Sequence, residues 1–60
     1  MVLYTGKSSN NNFTVRICKD RSSNTPYSVC FRATDAGFFQ TLMRCDNLKE
    51  AYTYYNELLK

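Results

Sequence analysis

Histidine and tryptophan are absent from this 60-residue sequence, proline occurs once, and cysteine three times. Without histidine the usual general base of enzyme catalysis is missing. A zinc site would need at least one carboxylate ligand, which structural sites seldom use. Cys18, Cys30 and Cys45 are odd in number, widely spaced and without a CxxC pair. Free, reduced thiols are therefore expected, with no metal and no cofactor.

No apolar run approaches the ~20 residues needed to span a bilayer. The opening MVLYTGK lacks the apolar core of a signal peptide. A cytoplasmic chain without a membrane partner is expected, and Asn12-Phe13-Thr14, a glycosylation sequon, then carries no meaning. Gly6-Lys7-Ser8 has the tail of a phosphate-binding loop. The motif also needs an upstream glycine and a following helix, and neither is here.

What is present is one small domain. A chain of this size buries only about 60% of the surface its unfolded form exposes. Nine Phe and Tyr residues supply much of its core volume. The net charge of +3 favours contact with a polyanion.

Residues 1–12 read as a loose segment, with TGKSSNNN as a polar loop and Val2-Leu3-Tyr4 available as a short extra edge strand. FTVRICK alternates, with Phe13, Val15 and Ile17 on one side and Thr14, Arg16 and Cys18 on the other. After the polar loop DRSSNTP, YSVCFRAT alternates again, with Tyr27, Val29, Phe31 and Ala33 opposed to Ser28, Cys30, Arg32 and Thr34. Asp35-Ala36-Gly37 is expected to be a three-residue hairpin loop with glycine at positive φ. That loop sets Thr34 against Phe38, Arg32 against Gln40, Cys30 against Leu42 and Ser28 against Arg44. Ala33, Phe31, Val29 and Tyr27 then meet Phe39, Thr41, Met43 and Cys45.

A helix follows, capped by Asp46 or Asn47, with Glu50 placed as in a capping box. Leu48, Ala51, Tyr52, Tyr55, Leu58 and Leu59 form one stripe; Lys49, Glu50, Thr53, Asn56, Glu57 and Lys60 face solvent. A lone helix of this length is marginal in water, so it must dock on the apolar face of the sheet. The expected fold is α+β, a three-stranded antiparallel sheet packed on one C-terminal helix (β-β-β-α), with the sheet over 13–45 and the helix over 46–60.

The opposite face then carries Arg16, Arg32 and Arg44, one per strand, beside Gln40, Phe38 and Leu42, with Lys19 and Arg21 at one end. Antiparallel sheets commonly keep one wet face, but mixed arginine and aromatic surfaces are what interfaces favour. Arginines on a narrow sheet also suit the major groove of DNA. Asp20, Asp35, Asp46, Glu50 and Glu57 fall in turns, at the cap or on the outer helix surface, not in pairs. An enzyme is not expected.

Strands running directly into a helix through FFQTLMRCDNLKEAYTYYNELL resemble the AP2-type DNA-binding domain and the amino-terminal arm-binding domain of tyrosine recombinases. Cys45, Asp46, Glu50, Ala51 and Tyr55 fall near that pattern's positions, although the tryptophans such domains often show are missing. The resemblance implies a sheet that reads double-stranded DNA, with Arg16, Arg32 and Arg44 carried over by position. The alternative is a small phage- or mobile-element-encoded inhibitor that binds a host protein through the same face, as a monomer or weak homodimer.

Overall fold

The computed structural model describes residues 1–10, 12–21 and 24–60; Asn11 in the first polar loop, and Ser22 and Ser23 in the second, lie outside them. Four strands precede one helix: β1 (Val2–Lys7), β2 (Phe13–Lys19), β3 (Tyr27–Ala33), β4 (Gln40–Cys45) and α1 (Leu48–Leu59). The sheet is an antiparallel meander in the order β1-β2-β3-β4. The α+β class and the C-terminal helix agree with the sequence pattern; the strand count is four rather than three.

The extra strand is longer than the sequence indicates. Thr5, Gly6 and Lys7, expected in a loop, pair with Arg16, Val15 and Thr14 of β2, and a bulge at Leu3 precedes them. The following turn is pinned by Ser8, which is buried. Its amide donates to the Phe13 carbonyl at 3.0 Å. Its hydroxyl donates to Asn10 Oδ1 at 2.8 Å and accepts from the Asn12 and Phe13 amides at 3.1 and 3.3 Å. One small side chain thus satisfies backbone donors that would otherwise be stranded at the hairpin end.

β2 and β3 form the centre. Val15, Ile17 and Val29 are fully buried and, with Cys45, Ala51 and Tyr55, make the core beneath α1. Burying each aliphatic side chain is worth about 1.5–3 kcal/mol. Phe13, Tyr27, Phe31, Met43, Leu48, Leu58 and Leu59 close the margin.

Asn47 caps the helix, in extended conformation (φ −137, ψ 149), and its Oδ1 accepts from the Glu50 amide at 2.8 Å. Its Nδ2 also donates to Asp46 Oδ1 and Glu50 Oε2 at 3.1 and 3.4 Å, so both cap candidates take part in one network. The apolar stripe docks as expected, except that Tyr52 is 43% exposed, stacks on Tyr55 and meets Tyr4 at a tilted angle at the rim.

The third hairpin departs from expectation. The connection runs from Thr34 to Phe39, with a turn closed by the Ala36 amide on the Ala33 carbonyl at 2.9 Å, and Gly37 does not take a left-handed φ. Near this turn Phe31 pairs with Gln40 and Cys30 with Thr41. A bulge then absorbs Leu42, after which Val29–Met43, Ser28–Arg44 and Tyr27–Cys45 pair as expected. The bulge restores the parity that the turn had shifted.

Candidate functional site

The bulge decides what the open face carries. Because Phe31 pairs with Gln40, Gln40 takes the parity of the helix side, correcting its placement beside Arg32. Continuing the same ladder brings Phe39 next to Arg32. Phe38, expected on the open face, stands in the loop at 68% exposure, and Leu42 sits at the bulge at 40%. Lys19 pairs with Tyr27, on the helix side, and its ammonium lies 5.6 Å from the Tyr27 ring centroid. Arg21 is exposed at the sheet end, lining a shallow hollow with Met1, Lys19 and Asp20.

Arg16, Arg32 and Arg44 do share the open face, but in two unlike settings. Arg44 is engaged: Nη2 lies 3.8 Å from Asp20 Oδ2, while Nε and Nη2 donate to the Thr25 hydroxyl and carbonyl, both at 3.3 Å. Such an exposed ion pair contributes little, so the contacts mainly tie β4 to the β2–β3 connection.

Arg16 and Arg32 converge on Phe39 instead. Their guanidinium carbons stand 4.0 and 5.2 Å from the centre of its ring. Each contact is worth about 0.5–1 kcal/mol at an exposed site and more when dry. Both Nε atoms are shielded from solvent and have no hydrogen-bond partner. Among the described residues, neither guanidinium has a carboxylate within ion-pairing distance. Two like charges are thus gathered on one ring without a counter-charge, an unfavourable arrangement that an anion would relieve.

The same face carries short, buried side chains. Thr14, Ser28 and Cys30 are buried although they point away from the helix. The Cys30 thiol donates to Ser28 Oγ at 3.8 Å and meets Thr41 Oγ1 at 3.6 Å. Phe39 was missed in the sequence because FFQ offers two adjacent phenylalanines, and only the bulge selects which one lies under the arginines.

A groove of ≈ 480 Å³ lies elsewhere, along α1 beside Met43 of β4, lined also by Asn47, Lys49, Glu50, Tyr54 and Glu57. It gathers no nucleophile beside a base. Among the described residues, no three Cys, Asp or Glu side chains converge where a metal ion could sit, and no helix is long and apolar enough to cross a membrane.

No family model, no curated protein and no solved structure matches this chain.

Proposed function

We propose that the chain is a small non-enzymatic binding domain whose open sheet face contacts double-stranded DNA. The observation that carries this reading is the pair Arg16 and Arg32, held together on Phe39 with no carboxylate in ion-pairing distance among the described residues. Guanidinium groups bond phosphate oxygens and guanine edges, and a ring beneath them fixes their planes before the ligand arrives. Arg21, exposed at the sheet end, adds positive charge nearby, within a chain of net charge +3. The passage from sheet directly into capped helix follows the order of AP2-type domains, while β1 departs from their three-stranded pattern.

The test is fluorescence anisotropy on mixed-sequence duplexes, starting at ~50 mM salt, where phosphate contacts are strong. Affinity should fall steeply with salt, and replacing Arg16 or Arg32 by Ala should lower the salt slope by about one unit each. Absence of binding at low salt sinks the proposal. Phe38 and Leu42, both exposed, favour a second reading, in which the same face covers a host protein. That contact would depend less on salt and more on the two apolar side chains.

A further inference from the structure

Cys18 and Cys30 both stand on the open face, on adjacent strands. Cys18 pairs with Ser28 and Arg16 with Cys30, so the two cysteines are diagonal neighbours across the β2–β3 ladder. Diagonal Cα atoms of such a ladder stand about 7–8 Å apart, their Cβ atoms closer, and strand twist shortens one of the two diagonals. Both thiols are free. They interact directly, and the N-terminal ammonium and Arg16 are the cations that act on Cys18. Cys45 lies apart, in the core under α1, donating to the Asn47 carbonyl at 3.4 Å.

We propose that Cys18 and Cys30 form a dithiol site that low-molecular-weight disulfides close into an intrachain disulfide across β2 and β3. One thiolate attacks RSSR, forming a mixed disulfide and releasing RS⁻. The second thiolate then displaces the remaining RS⁻ as the Cys18–Cys30 bond forms. The two thiols give up two protons and two electrons, and RSSR is reduced to two RSH. Burial, and then the neighbouring Cys30 thiol, push the Cys18 thiol up from its ordinary value, against the pull of the two cations. Closure should therefore be slow at neutral pH and quicken with alkalinity, by up to about tenfold per unit while the thiolate is scarce.

The experiment incubates the folded protein with oxidised glutathione across this pH range, quenches with an alkylating agent, and reads intact mass and peptide maps. The expected product has lost two hydrogens, leaves Cys45 as the one thiol alkylated after unfolding, and forms equally in Cys45→Ser. Cys18→Ser, at a half-buried position, should stop at the mixed disulfide or not react. A trivalent arsenical on the unsubstituted chain should give a one-to-one adduct that oxidation abolishes, a check that needs no substitution. Persistent mixed disulfides, covalent dimers, bridges to Cys45, or closure only in denaturant would each overturn the assignment.

Discussion

The hydroxyl of Tyr55 lies 2.5 Å from where a Cβ on Gly6 would stand, and Leu59 Cδ1 lies 2.9 Å from the same point. The buried tyrosine of the helix thus reaches across the sheet and rests on the backbone of its first strand. Tyr4 flanks it, with ring centroids 6.2 Å apart. The edge strand is held by this contact as well as by its ladder to β2.

Gly6→Ala should therefore destabilise the fold, although alanine is ordinarily the better strand residue. The added methyl must displace Tyr55 and Leu59, and overpacking of this kind costs about 1–3 kcal/mol. Urea denaturation reads the change as a lower midpoint. Combining Gly6→Ala with Tyr55→Phe should give a smaller loss than the sum of the two single changes, because the hydroxyl that obstructs the methyl is gone. Strict additivity would mean that the two residues do not meet.

The same contact explains why β1 was hard to read. Its helix-side ladder positions are Tyr4 and Gly6, with Leu3 packed against the core at the bulge; the bulge breaks the alternation and a glycine gives no apolar signal to complete it. β2, β3 and α1 were legible because each buries a periodic face: Val15 and Ile17, Val29, and Ala51 with Tyr55. β4 was legible only at its far half. Its face assignment depends on a turn and a bulge that shift parity in opposite senses, and nothing in GFFQTLM announces either. The arginine trio was readable from alternation; its uneven pairing was not, because Arg44 finds Asp20 and Thr25 through loop geometry.

Leu42 is the extra residue of the bulge, and its deletion is an unusual test of the register. Without it, Thr41–Cys30 and Met43–Val29 become consecutive pairs of a regular ladder, with every remaining side chain on its present face. The deletion should leave stability within about 1 kcal/mol, since an exposed side chain and a ladder irregularity are removed together. A bulge-free register would instead turn half of β4 inside out on deletion. Loss of cooperative unfolding would therefore contradict the observed pairing.

Phe39 and Phe38 are neighbours in sequence with different expected roles. Phe39→Leu removes the ring beneath Arg16 and Arg32 and should weaken duplex binding several-fold, since the guanidinium planes lose their support of about 0.5–1 kcal/mol apiece. Phe38→Leu leaves that stack intact and should change DNA affinity little. A reversed ranking, with weak salt dependence, would favour the protein-binding reading of the face. Both variants should be checked for unchanged circular dichroism before their affinities are compared.

Alkaline pH should expose the cost of the buried ionisable groups. Burial, followed by the nearby Glu50 carboxylate, pushes the Cys45 thiol up from 9.0; burial, followed by Tyr52, pushes Tyr55 up from 10.0. In this range the unfolded chain releases protons that the folded chain retains, so stability must fall as pH rises. The contribution is present in full below pH 9.0 and is lost as pH climbs through the folded-state values. The urea midpoint should be level below the cysteine range and decline above it. Tyr55→Phe should flatten the part of the decline beyond pH 10.0. A midpoint that held or rose across that window would mean that the helix does not seal Cys45 and Tyr55 against the sheet.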